Sequence, residues 1–122
     1  MGNQKQRLGR WGETVAAEFL TQKGYQVLHR NERTAYGEID LVARQNRVTV
    51  FVEVKTRSNL NYGYPEESIT HQKRHHMIAA ALAYLGAHPE LAGDWRLDVI
   101  AIQGRKGGPP PEIVHYENAV SA

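Results

Sequence analysis

The chain has 122 residues and a mass of 13.8 kDa, room for one domain over residues 1–122 and not for two independent cores. Hydrophobic residues make up 41% and charged ones 23%, a globular composition, and the absence of Cys excludes disulfide scaffolds, thiol catalysis, Cys-held zinc and iron–sulfur clusters and suits a reducing cytoplasm. No apolar run approaches the roughly 20 residues of a membrane span, no signal-peptide core follows Met1, and a net charge of +2 points only weakly to a polyanionic partner.

From Leu8, apolar or small residues recur at Trp11, Gly12, Val15, Ala16, Phe19 and Leu20, which predicts one face of an amphipathic helix stopped by Gly24. Tyr25 to Arg30 reads as a short strand, Asn31 to Gly37 as a polar connection, and Glu38 to Arg44 as a second strand. Gln45-Asn46 is polar enough for a tight hairpin into the β-branched run Val48 to Lys55. After a loop from Ser58 to Pro65, a second helix is expected from an N-cap at Thr70 to about Leu85, with Met77, Ala80, Ala81, Tyr84 and Leu85 inward. Trp95 to Ile102 is another strand, Gly104 to Pro111 an exposed loop, and Glu112 to Tyr116 a last edge strand. The order predicts one mixed α/β sheet with a helix on each side.

The hairpin carries the chemistry. A two-residue loop at Gln45-Asn46 pairs Arg44 with Arg47, sets Asp40 opposite Phe51 and Glu38 opposite Glu53, and leaves Glu53 diagonal to Asp40, about 7–8 Å away. One sheet face then collects Glu38, Asp40, Glu53 and Lys55, while Ile39, Leu41, Val52 and Val54 take the other. Carboxylates gathered on one face repel unless something positive lies between them, and hard oxygen ligands at that separation suit Mg²⁺ or Mn²⁺. Such an ion binds phosphate oxygen, lowers the pKa of bound water and stabilises a leaving oxyanion, with Lys55 as a nearby cation. An Asp, a Glu and a Lys on an exposed strand can equally be a solvated ladder, but Glu53-Val54-Lys55 ends the most hydrophobic strand of the chain.

Gly37-Glu38-Ile39-Asp40-Leu41-Val42 followed by Phe51-Val52-Glu53-Val54-Lys55-Thr56-Arg57 resembles the PD-(D/E)XK signature of restriction-endonuclease-like nucleases. The wording is closest to the bacterial YraN family of predicted endonucleases, similar to archaeal Holliday-junction resolvases. Gly9-Arg10-Trp11-Gly12-Glu13 with Ala17, Asn31, Gly63-Tyr64-Pro65, Gln72-Lys73-Arg74, Arg96-Leu97-Asp98-Val99, Ile113 to Tyr116 and Asn118-Ala119 extend the resemblance over nearly the whole chain. It implies a restriction-endonuclease-like αβββαβ core and a metal-dependent DNA endonuclease, with branched DNA among its substrates. Asp40 and Glu53 would be metal ligands, Lys55 the catalytic lysine, and Glu13 would complete the acidic cluster. Ile39 stands where the signature has Pro, a common departure. The alternative is a catalytically weak nucleic-acid-binding accessory module that keeps the fold. Pairing of two copies into a homodimer is left open.

Arg57, Lys73 and Arg74 are candidate phosphate contacts, and Arg7, Arg10, Arg105 and Lys106 could extend a basic rim. Gln72 is a further candidate from the second helix. His71 and His75 have metal-ligand spacing without a third ligand, so a polar helix face is the simpler account. Tyr36, Tyr62 and Tyr64 flank the carboxylates, placed to stack on unpaired bases or, more commonly, to pack over a sheet edge. Gly104 to Gly108 lacks the ending of a P-loop, and no cofactor fingerprint supports a small-molecule enzyme.

Overall fold

The computed structural model describes residues 3–58 and 70–119, and its first element is helix α1 (Gln4–Gln22). A capping box starts α1: the Asn3 side chain accepts from the Gln6 N–H at 2.8 Å, and the Gln6 side chain accepts from the Asn3 N–H at 3.1 Å. Gly24, at φ 92°, reverses the chain while the Tyr25 and Gly24 N–H groups satisfy the carbonyls of Leu20 and Thr21. Gly12, Ala16 and Leu20, one turn apart, form the buried stripe. At Gly12 the helix lies so close to the sheet that any Cβ would collide with the Thr56 hydroxyl. Only glycine permits that approach.

Five strands, β1 (Gln26–Thr34), β2 (Gly37–Gln45), β3 (Val48–Arg57), β4 (Trp95–Gln103) and β5 (Glu112–Tyr116), form a mixed sheet in sequence order. Among the described strands only β3 and β4 pair in parallel, because their connection crosses over through α2 (His71–Ala87) and a short 3₁₀ turn (Pro89–Leu91). Thr70 caps α2 by accepting from the Lys73 N–H at 3.1 Å. One core layer joins Ala16 and Leu20 of α1 to Leu41, Val50, Val52, Ile100 and Ile102. The other joins Ala80, Ala81 and Tyr84 of α2 to Val42, Phe51, Leu97 and Val99. Each fully buried Leu, Ile, Val or Phe among them contributes about 1.5–3 kcal/mol of transfer free energy.

Three expectations are corrected. The polar stretch after Arg30 does not leave the sheet: β1 runs on to Thr34, pairing Glu32 with Ile39 and Arg33 with Glu38, as an edge strand whose outer face is free to be polar. The β2–β3 turn is Asn46-Arg47, both at positive φ (51° and 67°), so Gln45 pairs with Val48 and Leu41 with Val52. This moves the register by two residues, which changes partners but preserves faces. Ile39 does not share a layer with Leu41; it packs with Val42 and Phe51 on the α2 side, so the alternation of β2 breaks between Ile39 and Leu41. Among the described residues no helix is long and apolar enough to cross a membrane.

Candidate active site

The β2–β3 ladder ends at Leu41–Val52, although β2 continues pairing with β1 to Gly37 and β3 continues with β4 to Arg57. The sheet therefore forks. Asp40 stands at the crotch, and its Oδ2 accepts the Val54 N–H at 2.8 Å, a donor the β2–β3 ladder no longer serves. Continued by one pair, the observed register would set Asp40 opposite Glu53, closer than the diagonal relation expected from a Gln45-Asn46 turn.

Helix α1 brings Glu13 to the same fork, held there by the close approach at Gly12. Carboxylate oxygens of Glu13, Glu38 and Asp40 all lie within 4.8 Å of one another. The Oε1 of Glu13 is buried without a hydrogen-bond partner. Burial pushes its carboxyl above the ordinary range, and repulsion from Glu38 and Glu53 adds to this against partial relief from Asn31 and Arg30. Asp40 is driven further, to about 7: burial is the main cause, Glu53 and Glu13 reinforce it, and the Val54 N–H and Lys73 only partly oppose. Glu38 is exposed and has the Arg33 Nε 3.9 Å away, too far to neutralise the group strongly.

Glu53, by contrast, is buried and compensated. Its Oε1 lies 3.3 Å from Lys55 Nζ and 2.7 Å from Lys73 Nζ. Burial works to lower the Lys73 pKa, but the hydrogen bond and charge of Glu53 outweigh it and hold the ammonium above its usual value. Glu13, Asp40, Glu53 and Lys55 thus meet at one place, with Lys73 closing it from α2 and Glu38 joining the tight carboxylate group. The pairing of Lys73 with Glu53 was missed because it depends on how α2 docks.

The remaining candidates are more scattered. Arg57, at the end of β3, donates to the Thr56 carbonyl at 3.0 Å; Arg74 is exposed on the first turn of α2. Arg7 and Arg10 lie on the exposed side of α1, and Arg105 and Lys106 in the loop after β4. Gln72 is exposed; the exposed rings of His71 and His75 meet edge-on at 5.0 Å and join no trio of ligand groups among the described residues. Tyr36 is exposed at the β1–β2 turn, whereas Tyr62, Tyr64 and the Gly63-Tyr64-Pro65 segment lie outside the described residues.

A second polar cluster, not anticipated from the sequence, lies between β4, β5 and the end of α1. Asp98 is fully buried; it accepts from Arg96 Nε at 3.0 Å, His115 Nε2 at 2.7 Å and the Asn118 N–H at 2.8 Å. Arg96 also donates to the Tyr25 hydroxyl at 2.6 Å and to Glu117 at 3.0 Å, and Lys23 Nζ donates to His115 Nδ1 at 2.9 Å. Burial alone would raise the Asp98 carboxyl, but the His115, Arg96 and Asn118 hydrogen bonds prevail and hold it below the usual range. Asp98, His115 and Glu117 offer ligand atoms within 4.8 Å of one another, yet both Asp98 oxygens, both His115 nitrogens and Glu117 Oε1 already have hydrogen-bond partners.

The sequence compares with known proteins over most of its length. A family model described as "Uncharacterised protein family UPF0102" matches residues 12–102, a span that includes Glu13, Glu38, Asp40, Glu53, Lys55 and Lys73. A UPF0102 protein of Syntrophotalea carbinolica is 42% identical over 119 residues, covering 98% of this chain and 95% of its own. One of Roseiflexus castenholzii is 46% identical over 121 residues, covering 98% of each chain. Among solved structures, Pyrococcus furiosus SfsA in complex with Ca²⁺ aligns with a TM-score of 0.40 and 16% identity, over 97% of this chain and 65% of that one.

Proposed function

Starting from the fact that the chain belongs to UPF0102, the YraN family, we propose that it is a metal-dependent phosphodiesterase that hydrolyses DNA at the sheet fork, branched DNA included. The observation that carries this reading is the under-neutralised trio Glu13, Glu38 and Asp40 beside the Glu53–Lys55 pair. Folding spends free energy to hold repelling carboxylates together, and such strain concentrates at functional sites.

A divalent cation fits these residues. Three hard oxygen donors converge, one of them (Glu13 Oε1) is buried without a partner, and ionised Asp40 is destabilised by burial first and then by repulsion from Glu53 and Glu13. Glu13, Glu38 and Asp40 would hold Mg²⁺ or Mn²⁺, with Glu53 adjoining. When bound, the ion supplies a polarised phosphate and a water acidic enough to attack it.

The chain's own groups do the rest. The Val54 N–H fixes one Asp40 oxygen and so orients the other. Lys55, 15% exposed, holds an ammonium at the rim of the carboxylates, where it can meet charge developing on the phosphate oxygens. Glu53 pairs with Lys55 and Lys73 and holds both side chains in place at the fork. Lys73 and Arg74 on the first turn of α2, with Arg57, are the proposed phosphate contacts, so DNA affinity falls steeply with salt.

The double ion pair on Glu53 favours the second reading, a nucleic-acid-binding module that does not cut, since both lysines already have an anion. Purified protein assayed on duplex, flap, single-stranded and four-way DNA with Mg²⁺ and with Mn²⁺ separates the two. Cleavage that disappears in EDTA and in Asp40→Asn supports the enzyme. Salt-dependent binding with no cleavage of any substrate overturns it in favour of the module.

A further inference from the structure

Where β2 and β3 part, a cavity of about 160 Å³ opens between the fork and α2. Its floor is apolar and buried: Ile39, Phe51, Ala80 and Leu97. Its polar lining is Glu38, Glu53, Lys73 and His76, with Tyr36 beside them, a large aromatic side chain left 56% exposed. Cofactor-sized ligands occupy pockets from roughly 300 Å³ upward, so this one suits a single flat ring system. Glu53 and Lys73 belong both to this lining and to the ion-paired cluster at the fork.

We propose that this cavity receives one unpaired nucleobase of the DNA strand whose phosphate lies at the fork. The inference rests on the nucleic-acid reading above and narrows it to DNA with an unstacked nucleotide. A nucleobase has two apolar faces and a hydrogen-bonding edge, which matches a buried apolar floor beside the polar groups of Glu53, Lys73 and His76. Glu38, Glu53 and Lys73 line the cavity and also belong to the charged groups at the fork, so a strand placed for cleavage brings a neighbouring base to it. A base that is paired and stacked within a duplex cannot enter a recess between a sheet and a helix, whereas one at a bulge, flap or junction can, and pays little to leave its stack. Exposed Tyr36 then offers a face on which that base stacks, an interaction that tolerates any base.

The test is binding of fluorescent DNA by anisotropy at one fixed salt concentration, with Ca²⁺ in place of the catalytic ion. Three probes of equal length are compared: a fully paired duplex, the same duplex with a one-nucleotide bulge, and that bulge made abasic. The full-length protein is expected to prefer the base-bearing bulge over the other two about tenfold. Tyr36→Ala, at an exposed position, and Met77→Trp, which fills the cavity, are expected to lose that preference without weakening binding to the paired duplex. Equal affinity for the base-bearing and abasic bulges overturns the proposal, and if such a protein still cuts DNA the phosphodiesterase reading survives it. A base preference in protein that cuts nothing supports the cavity and removes the hydrolytic reading instead. No binding to any of the three DNAs overturns both.

Discussion

Asp98 and Asp40 are carboxylates on neighbouring parts of one sheet, and each belongs to a trio of groups spaced to hold a metal ion. Burial raises the cost of ionisation at both, but the neighbours decide differently. Around Asp98, Arg96, His115 and the Asn118 N–H supply donors to both oxygens, and its carboxyl titrates below the usual range. Around Asp40 burial, Glu53 and Glu13 outweigh one backbone N–H and the charge of Lys73, and its carboxyl is pushed up to about 7. Spacing alone does not tell a site from a strut. The balance of donors against acceptors separates the two trios, and of these the one at the fork is left in deficit.

The largest effect that can break this comparison is on stability at the satisfied cluster. Asp98→Ala leaves the Arg96 guanidinium half-buried without its main partner and frees His115 from its acceptor, and should cost about 3–5 kcal/mol in urea denaturation. If the cost is under about 1 kcal/mol, the cluster is not the strut described. At the fork the large effect should be on rate instead. Lys55→Ala should lower cleavage ~10²–10³-fold while DNA affinity changes little, because the ammonium acts on charge that develops in the transition state. Equal loss of affinity and rate would make Lys55 a binding residue.

Gly12→Ala sharpens the link between packing and chemistry. The new Cβ meets the Thr56 hydroxyl, α1 must move away, and the expected cost is about 1–3 kcal/mol by thermal melting. Glu13 moves with it, so metal affinity should fall further than stability predicts.

The smallest expected effect is the most discriminating, because it has opposite signs at the two regions. Asp40 binds its proton more tightly folded than unfolded, so its penalty is absent below about pH 4 and fully present above about pH 7. In EDTA, Asp40→Asn should therefore be more stable than the parent at pH 8, on the order of 1 kcal/mol, and the gain should vanish toward pH 4. Asp98 behaves in the reverse way: its contribution is present above the ordinary carboxylate range and is lost as pH falls through its lowered value. Melting curves of both variants across that interval check the pair.

Much of this was legible because alternation and helical periodicity are local. The β-branched run of β3, the α2 N-cap at Thr70 and the edge strand β5 stand where the sequence puts them. The β2–β3 turn was not, since it places Arg47 at φ 67° where glycine would be the usual signal, and only the tertiary pairing selects it. The two-residue difference changes partners and not faces, so Asp40 and Glu53 still stand close together at the fork. Ile39 could not be assigned from alternation because the facing of β2 changes between Ile39 and Leu41, where β2 parts from β3. The Asp98 network joins residues from 23 to 118, and the Lys73–Glu53 pair joins α2 to β3. Contacts of that range leave no local pattern.

The central claim is that the deficit of positive charge at Glu13, Glu38 and Asp40 is filled by a divalent cation. Calorimetric titration of Mn²⁺ into the parent protein, Asp40→Asn and Glu117→Gln tests it directly. Glu117 is exposed and belongs to the other trio, so its variant stays folded and reports on that cluster alone. Mn²⁺ is expected to bind the parent and Glu117→Gln and to lose its binding in Asp40→Asn. Undiminished binding in Asp40→Asn, or loss confined to Glu117→Gln, would contradict it.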